Sequence, residues 1–134
     1  MPTVFYQHTL QVFPYSRPLI PIRLSGRPGF APIDTLALLD SGADRCVFSE
    51  GFALRLGLDL SAGAVIPIKG ATGGQLPARI LHVTVEIIGV AFDCQAAFTP
   101  GNIPYNFIGR EGIFEKAQWG FRIGHGIIYF DPRP

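Results

Sequence analysis

The chain is short of charge, of cysteine and of long apolar runs, and each shortage removes a class of function. Eleven Lys and Arg stand against ten Asp and Glu, a net charge of +1 with charged residues at 16%. That balance offers no basic stripe to a phosphate backbone and no strong field to a charged partner, so nucleic acid is not an expected partner. Two cysteines, Cys46 and Cys94, are too few for a disulfide framework. Cys46 abuts the apolar pair Val47-Phe48, and free cysteine is often interior, so both thiols are expected to be buried. The three histidines, His8, His82 and His125, share no short ligand spacing and neither cysteine adds a cluster, which argues against a metal site. No run reaches the roughly 18 to 20 apolar residues that span a bilayer. The start Met1-Pro2-Thr3-Val4-Phe5-Tyr6 lacks a basic segment followed by an apolar core. The expectation is a cytoplasmic protein with no membrane partner.

What remains is rich in apolar residues, glycine and proline. Hydrophobic residues make up 48% of 134, enough for a core with surplus for a subunit interface. Sixteen Gly and twelve Pro favour short strands joined by tight turns, and the apolar content argues against disorder. The length fits one domain, 1–134, in which 1–18 is a candidate N-terminal extension or interface arm carrying Phe5, Tyr6, Phe13 and Tyr15.

Along the chain, Leu19 to Leu24 reads as a strand with an edge-like interruption at Pro21, and Ile33 to Leu39 reads as its return. The last four residues of that return, Leu36-Ala37-Leu38-Leu39, are all apolar and predict cover on both faces. Phe48 to Leu58 predicts a short helix with Ser49 as cap and Gly57 as stop. Val65-Ile66-Pro67-Ile68 and Leu81 to Ile88 predict the arms of a hairpin with a glycine-rich tip; Leu81, Val83, Val85 and Ile87 share one face of the second arm. Val90 to Phe98 predicts a further strand, Gly112 to Gln118 a second short helix, and the residues around Gly124-His125-Gly126 two closing β segments. Trp119, Phe121, Tyr129 and Phe130 are expected to supply core or interface area.

The chemistry concentrates at Asp40-Ser41-Gly42-Ala43-Asp44, placed at the end of the apolar run. A carboxylate delivered from a buried strand is costly unless hydrogen-bonded. Ser41 can bond locally and Gly42 can take conformations closed to larger residues, so the triplet also suits an ordinary turn. The sequence Leu39-Asp40-Ser41-Gly42-Ala43 lacks the Gly-x-Ser-x-Gly elbow of a serine hydrolase. Lys69-Gly70-Ala71-Thr72-Gly73-Gly74 lacks the Gly-Lys-Ser/Thr ending of a phosphate-binding loop.

Taken together, Leu38 to Asp44, the glycine-rich hairpin and Phe107-Ile108-Gly109-Arg110 resemble the retroviral-type, retropepsin-like aspartic proteases in order and separation. The resemblance runs from about Leu19 to Phe130. It implies an all-β fold with a flap hairpin and one short C-terminal helix. It assigns Asp40 as the catalytic residue, with Ser41, Gly42, Ala43, Asp44, Ile108, Gly109 and Arg110 supporting the loop and Lys69, Gly70, Ala71, Thr72, Gly73 and Gly74 forming a substrate-binding flap. Arg110 is expected to brace Asp44, and Ser41 to bridge two Asp40 loops near a two-fold axis. Because Asp40-Ser41-Gly42 occurs once, the implied protein is a homodimer that hydrolyses a peptide or protein substrate at a shared pair of carboxylates, without cofactor or metal. The competing expectation is a retropepsin-like peptide-binding or dimerisation module that cleaves weakly or not at all, since the proline-rich end does not display the terminal sheet by which retroviral members close their dimer.

Overall fold

The computed structural model describes residues 8–11, 17–69 and 74–132. Along them run the strands β1 (His8–Gln11), β2 (Leu19–Ser25), β3 (Ile33–Leu39), β4 (Val47–Ser49), β5 (Ala64–Lys69), β6 (Gln75–Ile87), β7 (Val90–Thr99), β8 (Asn106–Ile108), β9 (Gln118–Arg122) and β10 (Ile127–Asp131). A single α-helix among the described residues, α1 (Glu50–Arg55), follows β4.

Alternation builds the barrel. In β2, Ile20, Ile22 and Leu24 point inward while Pro21 and Arg23 point out; in β6, Val83, Val85 and Ile87 do the same. Strands β2, β3, β8, β4, β7 and β6 are bonded in that order, and β6 returns to β2 through Arg23↔Glu86, Leu24↔Val85 and Ser25↔Thr84. Six strands therefore close on themselves and leave no free edge. Pro21 sits in β2 beyond the stretch that β6 pairs, where a missing N–H costs no ladder bond on that side. Phe48 and Phe98 fill the interior with ring centroids 5.8 Å apart, beside Ile108 and Ile20.

Hairpin β5–β6 projects from this barrel. Strand β7 joins β6 only from Arg79 onward, so the part of β6 that faces Ile66 to Lys69 has a neighbour on one side alone. Pro67 stands opposite Pro77 there. Neither can donate, so the pair occupies a non-hydrogen-bonded position and both ring nitrogens face open edges. The second arm begins at Gln75, six residues before Leu81.

A second, three-stranded sheet orders β1, β10 and β9 antiparallel, with His8↔Phe130 and Gln11↔Ile127 joining the two ends of the described chain within one molecule. Phe130 packs on Trp119 at 4.7 Å and on Phe92 of the barrel at 6.1 Å, which docks this sheet on β7. The aromatic residues Phe5, Tyr6, Phe13 and Tyr15 lie outside the described residues.

Three expectations are corrected. The C-terminal helix over 112–118 is a single 3-10 turn, Phe114–Lys116, after which Ala117 is extended and Gln118 begins β9. Gly112 lies so close to β7 that an added Cβ would come within 2.6 Å of the Cys94 Cβ, and Ile113 is fully buried beside it; anchoring to β7 leaves no room to wind a helix. The early helix forms, halted by Gly57 at φ +73°, yet Ser49 makes no side-chain cap and the preceding residues pair as β4. Two-sided cover of β3 fails at Leu36, which stays 40% exposed.

Candidate active site

Strand β8 decides where Asp40 sits. It lies between β3 and β4, parallel to β3 through Leu38↔Phe107 and Leu39↔Ile108 and antiparallel to β4 through Val47↔Phe107. The chain leaving β3 must therefore loop over the end of β8 before it can enter β4, and residues 40–46 are that loop. Its first amide, Asp40 N–H, donates to Ile108 O at 2.9 Å, so the loop starts as a continuation of the β3–β8 pairing. A tight turn follows: Ala43 N–H donates to Asp40 O at 3.1 Å, and Gly42 N–H donates to Asp40 Oδ1 at 2.9 Å. One carboxylate oxygen is thereby fixed; Oδ2 receives no hydrogen bond from the described residues.

Gly42 is favoured for a reason other than the one its sequence suggested. Its φ is not in the left-handed region; instead a Cβ would stand 3.2 Å from Asp40 Oδ1, crowding the oxygen that the Gly42 amide holds. Gly109 is far more constrained. A Cβ there would fall 2.3 Å from Arg45 O and 2.8 Å from Arg45 N, so the loop backbone lies directly on the glycine. Beyond this contact, Arg110 N–H donates to Ala43 O and Glu111 N–H to Asp44 O, each at 2.9 Å. The side chains repeat the ladder with alternating sign: the Arg110 guanidinium donates to Asp44 Oδ1, and Arg45 Nη1 lies 3.3 Å from Glu111 Oε2. Asp44 and Arg110 are both mostly exposed, so their pairing orients the loop more than it stabilises the fold.

Behind the loop, Cys46 and Cys94 are buried and not joined by a disulfide. The contact with Cys46, followed by burial, pushes the Cys94 thiol well above its ordinary value, so it stays neutral and acts as packing under the loop.

In front of the loop lies a cleft of about 560 Å³. Its floor carries Asp40, Gly42, Ala43 and Asp44; Ile66, Ile68 and Leu76 of the hairpin form its roof, and Val47, Ile103 and Phe107 line its sides. Asp40 is half-buried at this floor, while Ser41 is exposed and its hydroxyl makes no hydrogen bond within the described chain. Ile108 and Gly109 are buried beneath. Lys69 lines the cleft at the hairpin's end and Gly74 is described opposite; Gly70, Ala71, Thr72 and Gly73 lie outside the described residues. The roof residues Ile66, Ile68 and Leu76, and the latch Arg45–Glu111, were not singled out from sequence. The alternation of Ile66 and Ile68 across Pro67 was the available signal for the roof; Arg45 and Glu111 carry none until β8 is known to lie between β3 and β4. Among the described residues no three His, Cys, Asp or Glu side chains gather as metal ligands, and no helix is long and apolar enough to cross a membrane.

A carboxylate held at the floor of an apolar cleft, on a loop braced by an Ile-Gly-Arg strand end and roofed by a hairpin, is the arrangement of an aspartyl protease. The family model described as aspartyl protease matches residues 20–111, which runs from β2 through Glu111 and takes in the loop, the hairpin and β8. The chain belongs to this retropepsin-like aspartyl protease family. No curated protein matches it.

Proposed function

We propose that the protein is an aspartic endopeptidase whose active form is a homodimer, with Asp40 of each copy contributing one carboxylate. The observation that carries this reading is the half-satisfied Asp40: Oδ1 is held by Gly42 N–H, whereas Oδ2 and the exposed hydroxyl of the next residue, Ser41, have no partner among the described residues. A second copy related by a two-fold axis would meet both needs with the same two groups.

Two carboxylates brought within a few ångströms cannot both ionise comfortably, so they hold one proton between them. The ionised member takes a proton from water as the water attacks the peptide carbonyl, and the protonated member polarises that carbonyl. Breakdown of the tetrahedral intermediate delivers a proton to the leaving amine. Activity requires the singly protonated pair, so cleavage falls at low pH when both are protonated and at high pH when both are ionised. An extended peptide suits the cleft, its backbone bonded along the hairpin and alternate side chains entering the wall formed by Ile66, Ile68, Val47 and Phe107.

The test pairs cleavage of a peptide library with sedimentation analysis of the wild type and Asp40→Asn. The proposal expects cleavage that rises with dimer concentration and falls by about 10³-fold in Asp40→Asn while the fold and dimer persist. A protein that binds peptides without cleaving them at any concentration is the binding or dimerisation module instead.

A further inference from the structure

The connection that leads into β8, residues 102–105, separates two depressions. Ile103 and Pro104 line the active cleft on one side; on the other they line a groove of about 640 Å³ on the outer face of the barrel. Leu36 and Thr35 of β3 form one wall of this groove and α1 forms the opposite one, presenting Phe52 and Arg55, which share a helix face three residues apart. The polar side is rigidly set: Asn106 Nδ2 donates to Leu36 O at 2.9 Å and to Thr35 Oγ1 at 3.3 Å. Tyr105 is pinned by Arg17, whose Nη1 donates to the phenol oxygen at 2.5 Å and whose guanidinium carbon lies 5.4 Å from the ring centroid.

The two depressions differ in charge. The cleft is lined by the acidic Asp40 and Asp44 together with the basic Arg45 and Lys69, whereas the groove is lined by a cation with no acidic residue to offset it. Its one charged lining residue is Arg55, which forms no ion pair among the described residues, and the second guanidinium, Arg17, stands over Tyr105 at the rim. Leu36, at 40% exposure, is an aliphatic side chain left uncovered on a strand whose neighbours Ala37 and Leu39 are buried. An uncovered aliphatic wall, an unpaired cation and continuity with the cleft across a ridge two residues wide define one occupant.

We infer that this groove is an exosite for the segment of a protein substrate flanking the scissile region, and that it selects an aliphatic side chain next to Leu36 and Phe52 together with a carboxylate next to Arg55. The inference rests on the protease reading, which it extends by naming a substrate class: chains with an aliphatic-acidic element outside the residues held over Asp40. In an extended segment residues two apart point the same way, so the element is an aliphatic residue and an acidic residue separated by one position.

The experiment titrates Asp40→Asn protein with the acetylated, amidated pentapeptide Ala-Leu-Ala-Glu-Ala and follows amide proton–nitrogen NMR spectra. Saturable shifts are expected at Gly51, Phe52, Arg55, Tyr105 and Asn106, with the Gln counterpart of the peptide binding about fivefold more weakly, the scale of one solvent-accessible ion pair. Arg55→Glu should reverse the preference, binding the Lys counterpart better than the Glu peptide; a merely structural role for Arg55 would not produce that exchange. Shifts confined to Asp40, Ile66 and Ile68, no saturation at millimolar peptide, or equal affinity for the Glu, Gln and Lys peptides would each overturn the inference. Cleavage by the wild type is scored separately: a protein that binds at the groove yet cleaves nothing sinks the protease reading alone, and one that cleaves with a silent groove sinks only the exosite.

Discussion

The loop that carries Asp40 and the hairpin that roofs it draw on the same materials, glycine and short apolar strands, and put them to opposite mechanical use. The loop is held from below at four residues: Asp40 N–H on Ile108 O, Arg110 N–H on Ala43 O, Glu111 N–H on Asp44 O, and the Arg45 backbone resting on Gly109. The outer part of hairpin β5–β6 is paired on one side only, faces two prolines across its ladder, and buries no residue of β5. Such a ribbon opens at low free-energy cost, whereas the loop moves only if the barrel does. One region fixes where the Asp40 carboxylate stands; the other can yield without disturbing the barrel.

Four tests bear on that contrast, in falling order of effect. Asp40→Asn should lower cleavage by about 10³-fold, since the amide keeps the Gly42 hydrogen bond but cannot exchange the proton; urea unfolding should be unchanged, and an active, homogeneous variant would remove Asp40 from the mechanism. Gly109→Ala strikes the brace itself. With Arg45 backbone atoms 2.3 to 2.8 Å from the new methyl, unfolding free energy should drop by about 3 kcal/mol and activity should fall with it. A tolerated Gly109→Ala would mean that the loop is softer than its contacts indicate.

Gly74→Val probes the opposite side. Nothing lies within 4 Å of a Cβ there, so unfolding should shift by no more than about 0.5 kcal/mol. Cleavage should nonetheless fall about tenfold if the hairpin approaches bound peptide closely, a loss seen in KM and kcat together; unchanged kinetics would count against a working flap. Smallest of all is the charge ladder. A double-mutant cycle between Asp44→Ala and Arg110→Leu should give a coupling of about 0.5 kcal/mol in stability, as befits two exposed partners. Reversing the pair, Asp44→Arg with Arg110→Asp, should recover that stability more readily than activity, because the guanidinium and carboxylate differ in geometry. Strict additivity would dismiss the ion pair as a structural contact.

The barrel was readable where alternation is long. The face of Val83, Val85 and Ile87 in β6, and the return from Leu19–Leu24 to Ile33–Leu39, follow directly from residue type. The loop residues from Asp40 to Asp44 and from Ile108 to Arg110 were readable as motifs, though their contact is a property of β8 inserting between β3 and β4, which no local pattern announces. Three-residue strands such as β4 and β8 are too short to show a period. The segment 112–118 misled because its composition permits a helix, and the deciding factor, the press of Gly112 against Cys94, lies on another strand. Leu36 was misjudged for the converse reason: an apolar run suggests cover, and the groove beside α1 withholds it.

The position of β8 also sets a schedule for synthesis. Asp44 and Arg110 are 66 residues apart in the chain, and every backbone bond that seats the 40–46 loop on β8 comes from the later segment. A nascent chain emerging from the ribosome can form the β2–β3 hairpin early, from neighbours in sequence, while Asp40 still lacks the carbonyl of Ile108 and the floor of Gly109. Contacts of such separation are slow to close. A growing or truncated chain that ends before β8 thus carries the Asp40–Asp44 motif without the strand that seats it.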